Sequence, residues 1–370
     1  MSTTEIASDL AASDLHVDQL EISVREIPVD GPDGKEADGT LEWSSTTVVF
    51  VEVSANGETG LGWTYGPKAV GTLIEDQLAD VVRGSDPLAV RATWEEMGKQ
   101  LRNAGRPGIG SMAVAAVDTA LWDLRARLLG LSLVDAIGRC RDTVPIYGSG
   151  GFCNYSLDRL REQLGGWVAD GIPRVKIKVG RNPDYDPRRL DAVRDEIGGD
   201  PELFVDANGA FSRQEALAWS ERYALDWGVS WFEEPVSSAD FEGLRFVRER
   251  GPAGLEVAAG EYAYVLRDAL NLLETHAVDC LQLDVTRCGG VTGFLALAGA
   301  AHARNLDVSA HCAPQLSAHV MCAIPNARHI EYFHDHVRIE SKLLDGVIDP
   351  VDGDLRPDRT RVGNGLELRR

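Results

Sequence analysis

The chain has 370 residues, 44% hydrophobic and 26% charged, the balance of an ordinary soluble globular protein and enough for two domains or for one large barrel with an attachment. Its formal net charge of −21 argues against nucleic acid and anionic membrane as partners, because both are polyanions. No apolar run is long enough to span a bilayer, and the six cysteines lack the close pairing of a zinc site or a disulfide framework, so they read as reduced, mostly buried thiols.

The N-terminal "MSTTEIASDLAASDLHV" is polar and acidic, without the basic start and apolar core of a secretory signal, and the expected location is the cytoplasm. Residues 29–43, "VDGPDGKEADGTLEW", form a long polar loop rich in glycine and charge, the composition of a lid. "TTVVFVEVSANGETGLGWTYG" (46–66) reads as two strands joined by a turn at Asn56-Gly57. "SMAVAAVDTALWDLRARLLG" (111–130) places Val114, Val117, Leu121, Leu124 and Leu128 at helical spacing and stops at Gly130. Strands followed by helices give residues 1–140 an α+β pattern.

From Thr143 onward the chain alternates. Strand candidates are "VPIYG", "RVKIKVG", "LFVDANG", "VSWFEEP", "LEVAAGE", "CLQLDV", "LDVSAH" and "RHIEYF", with amphipathic helices between most of them, such as 186–197, 213–223, 239–249, 265–275 and 291–303. Eight strands alternating with helices predict a (β/α)8-type barrel over 141–340. No phosphate-binding GxxxxGK[ST] loop is present; the glycine cluster "CGGVTG" (288–293) reads as a tight strand-to-helix turn, with contact to an anion as the alternative.

A polar residue closes each strand from the second to the eighth: Lys178, Asp206, Glu233, Glu261, Asp284, His311 and Glu331. The steps between them are 28, 27, 28, 23, 27 and 20 residues, about one strand-helix unit each. In a barrel this puts all seven on the C-terminal rim. A single acid at a strand end is usually a helix cap or an ion-pair partner. Three on consecutive strands, Asp206, Glu233 and Glu261, would repel unless neutralised, and all-oxygen donors suit Mg²⁺.

Lys176 and Lys178 alternate onto one strand face, which in a barrel is the interior. They can serve as counter-ions to the acids. A lysine beside a cation and a second lysine also has its pKa pushed down, so that it can act as a base near neutral pH. His311, with Asp284 on the preceding strand, reads as a dyad in which the carboxylate fixes the ring tautomer. A lysine on one side, a histidine on the other and a metal between them suit removal of a proton next to a carboxylate, with the metal holding the developing enediolate.

From about Val48 to Glu331, "AVDTALWDLRARLLG", the "KIK" strand, "VDAN", "WFEEP", "AGE", "LDVTRCGGVTG" and "SAH" follow one another in an order and spacing that resemble the enolase superfamily, in its mandelate racemase subgroup. The resemblance implies a modified TIM-type barrel with an α+β capping domain, to which the C-terminal segment 341–370 returns. It implies one Mg²⁺ on Asp206, Glu233 and Glu261, with Lys178 as base on one face and His311 with Asp284 as acid/base on the other. It also implies Lys176 and Glu331 at the substrate carboxylate, Asn208 and Glu234 supporting the site, and a homo-oligomer, often an octamer. The muconate-cycloisomerase-like arrangement places an opposing lysine on the sixth strand, and here no lysine lies between Lys178 and Lys342.

The resemblance places substrate specificity in the capping loops, so Trp43, Trp63 and Tyr65 become candidate cavity walls; the alternative is aromatic core under a loop. His334, Asp335, His336 and Arg338, just past Glu331, are placed to bind a polyol or a second carboxylate, with a second metal site as another option. The expected reaction is dehydration of a sugar acid (aldonate or aldarate) to a 2-keto-3-deoxy acid. The alternatives are racemisation or epimerisation of a 2-hydroxy acid, and a non-catalytic homologue that binds a metal and a carboxylate ligand.

Overall fold

The structure is a computed structural model and describes residues 15–369; most of the stretch read above for a secretory leader lies outside them. The N-terminal unit is built on an antiparallel sheet in which β2 (Ser45–Ala55) lies between β1 (Gln19–Pro28) and β3 (Glu58–Tyr65). Asn56 and Gly57 join β2 to β3 with φ of 51° and 83°. Positive φ at both central residues gives the turn whose twist matches the flanking strands. Sequence reading missed β1: "QLEISVREIP" is an edge strand of mixed polarity, without the alternation that marks a half-buried strand.

A helical segment over 69–82 packs on this sheet, α1 (Val90–Gln100) follows it, and α2 (Ile109–Leu128) packs against both the sheet and α1. α2 is buried on nearly every side because it lies between β3 and the barrel.

Eight parallel strands follow in sequential order: β4 (Val144–Gly150), β5 (Arg174–Lys178), β6 (Glu202–Asp206), β7 (Val229–Glu233), β8 (Glu256–Ala259), β9 (Cys280–Leu283), β10 (Asp307–Ala310) and β11 (Ala327–Phe333). The barrel closes where β11 pairs with β4 through Ile330↔Ile146 and Glu331↔Tyr147. The outer helices are α3 (Leu157–Ala169), α4 (Asp186–Ile197), α5 (Arg213–Trp227), α6 (Phe241–Arg250), α7 (Leu266–Glu274), α8 (Gly290–His302), α9 (Pro314–Cys322) and α10 (His334–Leu343). None of the described helices is long and apolar enough to cross a membrane. Inside the barrel, Tyr147, Phe204, Trp231, Ala258 and Cys280 form a buried layer of their own, separate from the main core. Phe204 stacks on Trp231 at 5.5 Å. This layer is the floor on which the polar strand ends stand.

Several contacts hold the capping unit over the rim. Gly39, at the tip of the 29–43 loop, lies so close to the ends of β5 and β6 that a Cβ there would meet the Ala207 carbonyl oxygen at 2.2 Å. Asp118 of α2 reaches the start of α8, where Oδ2 accepts from Thr292 N at 2.9 Å and Oδ1 from the Thr292 hydroxyl at 2.7 Å. The glycine turn of "CGGVTG" therefore does meet an anion, the protein's own carboxylate at a helix N-terminus. At the other end of the chain, Arg127 donates to Leu366 O at 2.9 Å and Asn364 to Leu61 O at 3.0 Å, so the tail returns to α2 and β3.

Candidate active site

The strand register sets the site. Lys178 is paired with Asp206, and Asp206 with Glu233, across β5, β6 and β7. Glu261, Asp284 and His311 follow the ends of β8, β9 and β10, and Glu331 lies within β11. All seven are buried, with Lys176 and Glu234 beside them. The backbone bends sharply just beyond several of these strands: Asn208, Glu234, Cys312 and Ala313 all have positive φ, between 39° and 52°. Non-glycine residues in this region cost on the order of 1–3 kcal/mol each and persist where the surroundings hold them.

Each acid turns to the nearest cation of the protein. Lys176 Nζ lies 2.6 Å from both Glu233 Oε2 and Glu331 Oε1, and 3.8 Å from Asp206. Lys178 Nζ lies 2.5 Å from Asp206 Oδ2. Glu261 turns the other way, with Oε2 2.9 Å from His311 Nε2 and Oε1 3.2 Å from Arg287. Asp206, Glu233 and Glu261 therefore line one side of the rim without closing into a single tight shell.

The donor chemistry nevertheless fits a hard cation. Glu233 Oε1, Glu234 Oε1 and Asn208 Oδ1 are buried oxygens that accept no hydrogen bond. Burial, with Asp206 alongside, pushes the Glu233 carboxyl up to about 8. Burial also raises Glu234, with Glu261 and Asp206 adding to it. These orphaned oxygens, on two carboxyls and one amide, are of the kind a hard cation takes as ligands.

The lysines behave differently from the expectation of a depressed pKa. For Lys178, burial acts downward and so does Lys176, but Asp206, Glu331 and Glu233 outweigh them and hold it well above the ordinary lysine range. The reason is charge count: buried carboxyls outnumber the ammonium groups around them. Lys176 is fully enclosed and is raised in the same way by Glu233 and Glu331 against the effect of burial. Glu331 is in turn held low by Lys176 and His311 despite burial, and it accepts from Ser149 Oγ at 2.7 Å and from Cys312 N at 3.2 Å.

On the far side of the rim, His311 Nδ1 lies 2.7 Å from Asp284 Oδ2. Asp284 Oδ1 accepts from Thr286 N and the Thr286 hydroxyl, both at 2.7 Å. Burial disfavours the charged ring, but Cys312, Glu261, Glu331 and Asp284 together raise His311 well above the usual histidine range.

A cavity of about 350 Å³ opens above these groups. Lys178, Asn208, Glu261, Arg287 and His311 line its floor; Asp38, Trp43, Thr46, Tyr65, Asp335 and His336 are among the residues of its roof and wall. Lys178 and His311 thus share one chamber. Lys176, Asp206, Glu233, Asp284 and Glu331 lie behind that lining. Two expected wall residues are elsewhere. Trp63 is core, packed at 6.1 Å on Phe50, because β3 carries it down beneath the sheet's inner face. His334 turns outward, with Nε2 2.9 Å from Asp30 Oδ1, where Glu36 and Asp335 complete an acidic cluster.

Sequence reading gave no part to Arg287, Cys312, Asp38 or Tyr262, which also line the cavity. Arg287 bridges Glu261 at 3.2 Å and Asp284 at 3.4 Å, joining the two sides of the site. The signal for it was its place in "LDVTRCGG", three residues after Asp284.

A barrel with acids, lysines and a histidine–aspartate pair on its C-terminal rim, capped by an α+β unit, defines an enzyme of the acid–base, divalent-cation class. Residues 36–138 match the mandelate racemase/muconate lactonizing enzyme N-terminal domain, and residues 159–370 match the enolase C-terminal domain-like family. The chain belongs to the enolase superfamily, in its mandelate racemase subgroup. It is 31% identical over 325 residues to the 3,6-anhydro-alpha-L-galactonate cycloisomerase of Streptomyces coelicolor, covering 85% of this chain and 86% of that one. A mandelate racemase/muconate lactonizing enzyme-like protein from Rubrobacter xylanophilus superposes with a TM-score of 0.93 at 54% identity, over 95% of this chain and 97% of the other. The L-talarate/galactarate dehydratase of Salmonella typhimurium, liganded with Mg and L-lyxarohydroxamate, superposes with a TM-score of 0.87 at 26% identity, over 97% and 92%.

Proposed function

We propose that this chain dehydrates a sugar acid to a 2-keto-3-deoxy acid. The observation that carries the reading is the placing of Lys178 and His311 in one cavity, from the ends of the second and seventh barrel strands, with Asp284 behind the histidine ring. Asp206, Glu233 and Glu261 would hold Mg²⁺, the ion named in the structure of the Salmonella relative. When bound, the ion supplies positive charge for the substrate carboxylate as it gains enediolate character.

The protein's own groups then divide the work. Lys178, in its neutral form, takes the proton from the carbon next to the carboxylate. The excess of carboxylates now holds Lys178 charged, and a divalent cation on Asp206, beside it, offsets that excess. Lys176 stays charged between Glu233 and Glu331 and adds a fixed positive potential beneath the reacting carbons. His311 gives its proton to the hydroxyl on the β-carbon, the C–O bond breaks and water leaves. The resulting enol becomes the 2-keto acid by proton transfer to the β-carbon. Asp284 keeps the imidazole oriented and stabilises its charged form. Arg287 holds Glu261 and Asp284 in register across the rim.

The same two-sided arrangement supports return of a proton by His311 to the opposite face of the α-carbon, an epimerisation. A library of sugar acids, assayed with Mg²⁺ for 2-keto acid formation, separates the two. Formation of a 2-keto acid supports dehydration; inversion of the α-carbon without it supports epimerisation; neither outcome on any acid contradicts both.

A further inference from the structure

We infer that the cavity selects a monocarboxylate with a hydroxylated chain, an aldonate, and discriminates against the corresponding diacid. This rests on the sugar-acid reading above and names the substrate class for the same site. The cations of the floor are committed to the reacting end: Lys178 to Asp206, and Arg287 to Glu261 and Asp284. The roof, where the far end of a bound acid must lie, contributes Asp38, Trp43, Thr46, Thr47, Asp335 and His336. Among the described residues lining the cavity, Lys178 and Arg287 are the only lysine and arginine, and both are engaged at the reacting end.

The basic residues around the roof are turned elsewhere. Arg181 donates to the backbone oxygens of Asp38 and Leu41, at 3.4 and 3.0 Å, and does not line the cavity. Lys68 pairs with Glu26 at 3.5 Å, and Arg338 donates to Pro28 O and Asp335. A second carboxylate would therefore face Asp38 and Asp335 with no cationic partner, and a like charge placed there without one is disfavoured.

Hydroxyl groups are matched instead. Asp38 and Asp335 offer carboxylate acceptors; Asp38 Oδ1 already holds the loop amides of Thr40 and Leu41, at 2.7 and 2.6 Å, and Asp335 Oδ2 the Thr46 hydroxyl at 3.1 Å. His336 stacks on Tyr65 at 3.4 Å between ring centroids. Its Nδ1 accepts from Ala313 N at 3.1 Å, which places the ring hydrogen on Nε2 as a donor. Burial keeps this ring neutral, with its pKa pushed down to about 3. Acceptors and one neutral donor without net positive charge are the wall for a polyol tail.

The test uses the Mg²⁺-loaded full-length protein and matched pairs of five- and six-carbon aldonates and aldarates of the same configuration. The expected result is a kcat/KM for the preferred aldonate about a hundredfold or more above that for its aldarate. Asp38→Asn, which keeps the Oδ1 that caps the loop, should narrow the ratio about tenfold by improving the aldarate. An aldarate turned over as well as or better than its aldonate overturns the inference and leaves the sugar-acid reading standing. A ratio that does not move in Asp38→Asn removes Asp38 from the account, and the discrimination with it if the wild-type ratio is also near one. No turnover of either acid overturns the sugar-acid reading and this inference together.

Discussion

His311 Nδ1 lies 2.7 Å from Asp284 Oδ2, and the other oxygen of Asp284 is held by the amide and hydroxyl of Thr286. The carboxylate is thus fixed from behind and in turn fixes the ring. Nε2 is the nitrogen that Asp284 leaves free, and it faces Glu261 at 2.9 Å, beside the cavity.

Asp284→Asn keeps the shape of this contact and removes its charge. The ring loses the partner that stabilises the imidazolium and specifies its tautomer. We predict that kcat falls by about 10²- to 10⁴-fold while KM moves little, measured by steady-state kinetics on the substrate found in the library screen. A kcat within threefold of wild type would remove Asp284 from the proton-transfer machinery.

Cation binding should be visible without turnover. An ion that binds the native state alone raises the melting temperature, by about 2.7 kcal/mol of stability at a hundred times its Kd. Mg²⁺ is predicted to raise the Tm of chelator-treated protein, and Glu233→Gln to remove most of that rise. Chelation should abolish activity and Mg²⁺ restore it. A Tm indifferent to Mg²⁺ at millimolar concentration, with activity unaffected by chelation, would contradict the assignment of the three carboxylates.

Asp118 ties the capping helix to the start of α8, and burial pushes its carboxyl up to about 7 despite the hydrogen bonds from Thr292. The folded-state value lies above the unfolded one of 3.8. The stability linked to this group is therefore fully present below the unfolded pKa and is lost as pH rises through the folded value. Asp118→Asn should flatten the fall in stability between pH 4 and 8, read from denaturant midpoints across that range; each pH unit separating the two values corresponds to about 1.4 kcal/mol. An unchanged pH profile would show that Asp118 titrates normally in the folded protein.

The barrel was legible because its code is repetitive. Each apolar strand ends in a polar residue one strand-helix unit after the last, and period-two alternation alone puts Lys176 and Lys178 on the inner face. The predicted helix over 186–197 coincides with α4 for the same reason, an amphipathic stripe facing the barrel. Capping residues carry no such period. Tyr65 and Trp63 share a strand face, yet only Tyr65 reaches the cavity, because Trp63 lies deeper under the sheet. His334 and His336 are two residues apart, and the start of α10 sends one toward Asp30 and the other over the cavity. α9 is buried on every side, so it shows no apolar stripe. The depressed lysine pKa expected from sequence presupposed a cation's charge; the protein groups alone push the other way.

The central claim is that Lys178 and His311 handle protons on opposite faces of one substrate carbon chain. It is tested most directly by α-proton exchange in deuterium oxide with Mg²⁺, followed by NMR on the substrate identified in the screen and its α-epimer. Lys178→Ala is predicted to abolish exchange of the α-proton facing the second strand while His311→Asn retains it without product release. Full α-proton exchange in Lys178→Ala, or loss of exchange from that face in His311→Asn alone, would contradict the two-base account.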